Sequence, residues 1–293
     1  MTTATDRIRH VLHFIHRHMD RPLSVEDIAA QSCWSRWQLQ RVFHSELGIS
    51  VGQYVRELKL SAAAERLLDS KQRSIDIAFE LGFGSEIAFS RAFRQMFGVS
   101  PRAYRQAGQR TGLRKPMIVV ESSPSCGLNT PFVEVRVESR EQRDFYGVST
   151  PISGLFSDKP NFSHRVPKLW HQILAQFDLS ETEKFGVIDV TTDPDKSGRL
   201  TYWASIRPNA LPATAHETFQ LVTVPAQTYA VIKHRGKISA LPETLLWFML
   251  HWLPNSEFRG IDGFEIEQYP PDYEGEQPMA IMEYWLPIKK VGS

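Results

Sequence analysis

Residues 35–54 read SRWQLQRVFHSELGISVGQY, and fifty positions later residues 85–104 read SEIAFSRAFRQMFGVSPRAY. Ser35, Leu39, Arg41, Phe43, Gly48, Ser50 and Tyr54 return as Ser85, Phe89, Arg91, Phe93, Gly98, Ser100 and Tyr104. Upstream, Ile28-Ala29 matches Ile77-Ala78 once one residue is added to the second turn. Self-similarity at a fixed offset marks a duplicated structural unit.

Each copy reads as helix, tight turn, helix. In the first, Ser24 caps a helix carrying Val25, Ile28 and Ala29, with Glu26 and Asp27 in its first turn. After the turn at Cys33-Trp34, Ser35 with Gln38 three residues on forms a capping box. The helix that follows is expected to bury Leu39, Val42 and Phe43 and to present Arg36, Trp37, Gln40, Arg41 and His44 outward. In the second copy Ser74 starts the first helix, Gly82-Phe83-Gly84 turns, and Ser85 caps the next. There Phe89, Ala92 and Phe93 are expected inside, with Glu86, Ile87, Ser90, Arg91 and Arg94 outside.

An outward Trp-x-x-Gln-Arg stripe suits a major groove. Gln pairs with adenine and Arg with guanine, each discriminating by ~1–3 kcal/mol, and an apolar indole edge can pack on thymine methyl or sugar. The plainer alternative places Trp37 in the core and leaves the arginines as a solvated face. Between the copies, 51–69 contains no proline and a run of three alanines, which favours one continuous helix. At ~1.5 Å per residue such a rod measures ~28 Å, comparable with the ~34 Å separating successive half-sites. One chain would then enter two major grooves, bind as a monomer and recognise an asymmetric site.

The stretch Arg66-Leu67-Leu68, Ser74-Ile75-Asp76-Ile77-Ala78, Gly82-Phe83, Phe89-Ser90-Arg91-Ala92-Phe93-Arg94, Phe97-Gly98-Val99-Ser100-Pro101 and Tyr104-Arg105 resembles the AraC/XylS family signature. Leu23-Ser24 through Arg105 is most similar to the MarA/SoxS/Rob branch. That resemblance implies base contacts by Trp37, Gln40 and Arg41, a matching arginine at Arg91, and RNA polymerase as a partner. Where the branch carries polar residues after the second capping serine, this chain has Glu86 and Ile87. The first copy is therefore expected to read bases, and the second, from Ser85 to Arg94, to hold mainly the phosphate backbone.

Charge divides along the chain. Residues 1–110 hold 16 Lys+Arg, 14 of them Arg, against 11 Asp+Glu, a net of +5. The rest holds 34 − 16 = 18 basic and 33 − 11 = 22 acidic residues, a net of −4. Arginine's planar fork suits phosphate and guanine, so the excess sits where DNA binding is expected. No apolar run approaches the ~18–20 residues of a membrane span, and 1–20 lacks a signal-peptide pattern. Cys33 and Cys126 form neither a disulfide framework nor a metal-ligand spacing. No cofactor or metal is expected, and a reducing cytoplasm is the simplest setting.

Gly108, Gly112, Pro116, Pro124, Gly127 and Pro131 punctuate a connector, in which 117–121 could form a short strand. The expected division is a DNA-binding domain over 1–107, a linker over 108–131 and a second domain over 132–293. Beyond the linker the hydrophobic period changes from 3.6 to 2. Strand-like 132–138 and 145–151, helix-like 163–177, then strand-like 185–191 and 200–206 recur as 219–224 and 228–234, a helix at 241–252, then 264–269 and 279–288. Two such α+β halves predict one antiparallel sheet with both helices on one face and the other face open to a ligand.

This layout, with Phe185-Gly186 through Ile206, Tyr229-Ala230-Val231 and the ending Glu283-Tyr284-Trp285-Leu286-Pro287-Ile288-Lys289-Lys290, resembles the GyrI-like effector-binding module. The resemblance places an acid, here Glu283, at the floor of a pocket where it pairs with a cationic group. The alternative is a solvent-facing carboxylate, or one held by a nearby Arg or Lys. Trp170, Trp203, Tyr202, Tyr229 and Trp285 are candidate aromatic walls.

The leading reading is an activator that binds an asymmetric promoter and senses a small amphipathic or cationic molecule. Some GyrI-like proteins hydrolyse small electrophiles, and Glu283 could act as a base if burial raised its pKa. His171, His234 and His251 stand isolated and no nucleophile motif is present, so an enzyme is not expected. A third reading is a DNA-binding protein whose second domain only makes protein contacts.

Overall fold

The computed structural model describes residues 4–114, 116–117, 133–153, 161–191 and 199–291. It divides into two compact units. One joins Thr2–Ser32 to Phe43–Pro124; the other joins Cys33–Val42 to Ser125–Ser293.

The first unit is helical. It contains α1 (Ala4–Arg17), α2 (Val25–Ala29), the C-terminal part of α3 (Arg36–Leu47), α4 (Val51–Asp69), α5 (Ser74–Glu80), α6 (Glu86–Phe97) and α7 (Pro101–Ala107). Helix α1 precedes the repeat and has no counterpart in it. Serines begin the helices by accepting otherwise orphaned amide protons. Ser24 Oγ accepts from Asp27 N at 3.0 Å, Ser50 Oγ from Gln53 N at 3.2 Å, and Ser85 Oγ from Ala88 N at 3.1 Å. Each cap of this kind is worth about 1 kcal/mol. Helix α5 starts at Ser74, as expected, with Arg73 in the cap position gripping Asp76 through two 2.9 Å bonds. Helix α4 is unbroken over its 19 residues, as its composition predicts. It supplies Leu60, Ala63, Ala64 and Leu67 to a core completed by Ile77, Ala78, Leu81, Phe89, Phe93 and Tyr104. Gly98, with φ at 74°, closes α6 in the left-handed conformation that glycine adopts without strain. Most of the expected linker, including the strand suggested at 117–121, lies outside the described residues.

The second unit is built on an antiparallel sheet with nine strands among the described residues. They are β1 (Glu134–Arg140), β2 (Arg143–Ser153), β3 (Lys184–Asp189), β4 (Arg199–Ile206), β5 (Gln220–Val224), β6 (Gln227–Arg235), β7 (Phe258–Gly260), β8 (Phe264–Tyr269) and β9 (Ile281–Lys290). Helix α8 (Phe162–Leu174) lies between β2 and β3, and α9 (Leu241–Trp247) follows β6. The order β1-β6-β9-β8-β3-β4-β2-β5 explains why two repeats make one body. The first strand of each repeat pairs with the second strand of the other, β1 on β6 and β5 on β2. Strand β7, which also pairs with β9, was not expected.

Cross-strand register assigns the two faces, because paired residues project together. Trp203, Val187, Ile266 and Trp285 follow one another across β4, β3, β8 and β9 on one face. With Phe145, Phe185, Val222, Val224, Tyr229 and Val231 they form an apolar cluster. Tyr202, Ile188 and Glu265 are aligned on the other face, which also carries Glu267, Tyr284 and Ile232. Both helices lie on that second face. Trp170 of α8 donates to the Tyr202 hydroxyl, and Thr244 of α9 hydrogen-bonds His234.

Candidate functional site

The N-terminal half of α3, residues 36–42, packs within the sheet-containing unit, and this corrects the expectation that its stripe faces outward. Trp37 is 5% exposed, and its indole Nε1 donates to the Val190 carbonyl at 3.1 Å. Arg41 is 8% exposed, and its Nη2 lies 3.2 Å from Glu265 Oε2. Arg36 lies over the Trp37 ring and within 3.4 Å of Asp262 Oδ2; Gln40 and His44 are half-buried. Glu265 of the sheet and the nearby Asp262 pair with Arg41 and Arg36, and α3's own sequence does not distinguish such carboxylates from nucleic acid. Ser35 and Gln38 form the expected reciprocal bonds, 3.1 Å and 3.3 Å, at the start of α3, and Leu39, Val42 and Phe43 are buried.

The contact is anchored at further points. Trp34 Nε1 donates to the Met249 carbonyl at 2.9 Å, and Gly260 N donates to the Cys33 carbonyl at 2.8 Å. A Cβ at Gly260 would lie 1.8 Å from Gln38 Oε1 and 2.5 Å from Gln38 Cδ, so only glycine lets β7 approach α3 this closely. Helix α6 differs. Glu86, Ile87, Arg91 and Arg94 are exposed, Ile87 to 82%, while Ser85, Ser90 and Ala92 are half-buried and Phe89 and Phe93 are inside. The open Ile87 side chain and the exposed Arg91 and Arg94 match the outward face expected of that helix.

Beneath α3 the sheet carries two carboxylates two residues apart on β8. Glu265 is 2% exposed and accepts from Arg41 and from the Tyr284 hydroxyl. Burial alone would lower the pKa of Arg41, but the Glu265 carboxylate and Tyr284 hydroxyl outweigh it and raise the guanidinium above its usual range. Glu267 accepts from Tyr202 at 3.0 Å and Tyr269 at 2.7 Å. Removal from water raises its pKa, Tyr269 and Tyr202 oppose that shift, and the Glu265 charge adds to it. Trp170 Nε1 donates to Tyr202 at 3.0 Å, completing an aromatic, hydroxyl-lined surround.

The six residues proposed for effector contact fall on two faces. Tyr202 and Trp170 belong to this acidic surround. Glu283, Trp285, Trp203 and Tyr229 belong to the opposite face. Glu283 is paired on that face: Arg136 Nη1 and Nη2 hold its two carboxylate oxygens at 2.8 and 2.7 Å. Glu138 flanks the same guanidinium, and Arg136, Arg140 and Arg143 lie over the Trp285 ring at 5.7, 5.3 and 5.2 Å. This face is thus already supplied with cations, and Glu283 matches the alternative of a carboxylate held by arginine.

Sequence reading missed Asp262, Glu265, Glu267, Tyr269 and Tyr284. In Phe264-Glu265-Ile266-Glu267 the alternation assigns the acids to water; nothing local signals that helices and α3 cover that face. Among the described residues, no three His, Cys, Asp or Glu side chains gather as a metal site, and no helix is long and apolar enough to cross a membrane.

Residues 28–107 match the helix-turn-helix domain family, and residues 133–289, more than half the chain, match the GyrI-like small molecule binding domain family. Along 97% of its length the chain is 25% identical to the Right origin-binding protein of Escherichia coli K12, covering 98% of that protein. It is 24% identical to the transcriptional regulator Rob of Salmonella typhimurium with the same coverage of each chain. Over 103 residues, 35% of this chain and 81% of its relative, it is 35% identical to the multiple antibiotic resistance protein MarA of Escherichia coli K12. The chain is therefore an AraC/XylS-family DNA-binding transcription regulator of the MarA/Rob type, in which a helix-turn-helix region precedes a GyrI-like domain.

Proposed function

We propose that this regulator is an effector-responsive activator that binds an asymmetric promoter element as a monomer and engages RNA polymerase there. The observation that carries the DNA-binding half is the pair of serine-capped helices α3 and α6, copies of one repeat that differ in the residues expected to face outward and are separated in the chain by the continuous α4. Two different reading helices on one chain suit an asymmetric site rather than a palindrome. Arg36, Trp37, Gln40, Arg41 and His44 are assigned to the first half-site, and Ser85, Glu86, Ile87, Ser90, Arg91 and Arg94 to the second. The DNA-binding domain is taken as 1–107, joined by 108–131 to an effector domain over 132–293.

The effector is assigned as a small amphipathic cation. Glu267, with Tyr202 and Tyr269 donating to it and Trp170 behind Tyr202, supports this assignment; Glu265 beside it and Glu283 on the opposite face are each held by an arginine, Arg41 and Arg136. The role is that of a regulator and not a catalyst, in keeping with the whole-length likeness to Rob.

Selection of bound duplexes from a random DNA pool, with and without a metabolite mixture, tests both halves. The expected product is one non-palindromic consensus with a strongly specified and a tolerant half, recovered at effector-dependent yield. A palindromic consensus, or identical yields under both conditions, would refute the corresponding half.

A further inference from the structure

Arg41 is assigned to reading DNA, yet it is buried against the Glu265 carboxylate of the sheet. Both side chains of the pair are withdrawn from water, at 10% and 2% exposure. The surroundings are complementary in charge: α3 offers Arg36 and Arg41, and the sheet-bearing part offers Asp262, Glu265 and Glu267. The indole of Trp37 is held at the same time by the Val190 carbonyl. A buried carboxylate stripped of its cation is strongly disfavoured. Arg41 therefore cannot leave for a DNA base without exposing Glu265 to that penalty, unless another cation takes its place.

We propose that Arg41 is a built-in cation seated in the Glu265 site, a latch that withholds the reading face of α3 from DNA until the guanidinium is displaced. The proposal rests on the assignment of α3 to base reading and of this acidic site to the effector, and it names their connection. Displacement is competitive. A planar guanidinium or amidinium on an aromatic body supplies the same kind of nitrogen donor that Glu265 Oε2 accepts from in Arg41. It also gains from the rings of Tyr202, Tyr269 and Trp170. The latch accounts for one feature that DNA binding alone does not: β7 keeps a glycine at 260, where a single Cβ would collide with Gln38 and hold α3 away.

The test uses the full-length protein, a duplex taken from the selection described above, and benzamidinium as probe, with neutral benzamide as control. Glu265→Gln removes the charge that holds Arg41 and preserves shape. Gly260→Ala opposes the docking of α3 and leaves both members of the pair in place, so a folding defect in either variant does not remove the test. With the latch, both variants bind the duplex about tenfold more tightly than the parent, and benzamidinium tightens only parental binding to a similar degree. In calorimetry Gly260→Ala takes up benzamidinium more tightly than the parent and Glu265→Gln does not take it up. Unchanged DNA affinity in both variants overturns the latch, whatever benzamidinium does. Tighter DNA binding in both with no uptake of benzamidinium by any form supports the latch and refutes the cationic-effector assignment beneath it.

Discussion

Glu267 on β8 accepts a 3.0 Å hydrogen bond from Tyr202 on β4, and no Cβ stands between the two strands because Gly186 of β3 occupies the gap. A side chain at Gly186 would place its Cβ 2.3 Å from Glu267 Oε2 and 2.4 Å from the Tyr202 hydroxyl. Gly186→Ala is expected to destabilise the protein by about 1–3 kcal/mol, since overpacking displaces both polar partners. Urea unfolding followed by far-ultraviolet dichroism measures it; an unchanged midpoint would mean that the cluster re-forms around the methyl group.

The same carboxylate sets a pH dependence. Loss of water raises the Glu267 pKa from its ordinary value, against the opposing hydrogen bonds from Tyr269 and Tyr202, and the nearby Glu265 charge adds to the rise. The folded state therefore binds this proton more tightly than the unfolded state. Its stabilising contribution is complete below the ordinary carboxyl pKa and is lost as pH rises through the raised folded value. Glu267→Gln, which cannot ionise, is expected to melt above the parent at about pH 8 and level with it at about pH 4. A gain of equal size at both values would show that charge is not the cause.

Glu283 and Arg136 form a two-bonded pair at partial exposure, 24% and 37% for the side chains. Solvent screening limits such a pair to about 1 kcal/mol or less. Glu283→Gln is accordingly expected to lower stability by no more than that and to leave benzamidinium affinity unchanged in calorimetry. Loss of cation affinity in this variant would return the effector site to the opposite face of the sheet.

Much of this architecture was legible from local pattern. The fifty-residue repeat, the capping serines and the alanine-rich centre of α4 are statements about neighbouring residues, and they appear in place. So does the change of period that yields the antiparallel sheet with both helices on one face. What was not legible depends on which surfaces meet. The outward direction of Trp37 and Arg41 follows from helical periodicity, but Trp37 is held by the Val190 carbonyl 153 positions away and Arg41 by the Glu265 carboxylate 224 positions away. Glu283 attracted notice as an acid among apolar neighbours, yet Arg136, which neutralises it, sits 147 positions earlier. Glu265 and Glu267 looked ordinary because strand alternation assigns them to solvent, and alternation carries no knowledge of a covering helix.

The two reading helices are expected to fail in different ways when altered. Trp37 has an indole edge suited to thymine methyl or sugar, so Trp37→Ala should cost about 1–3 kcal/mol on the selected duplex and much less on random DNA. Arg94 is exposed on α6, in the helix assigned mainly to the phosphate backbone. Arg94→Ala should therefore weaken selected and random duplexes alike and reduce the slope of log K against log salt by about 1. Titrations of both variants at several salt concentrations separate the two roles. A uniform loss in Trp37→Ala would remove base reading from α3, and a sequence-dependent loss in Arg94→Ala would make α6 an equal reader.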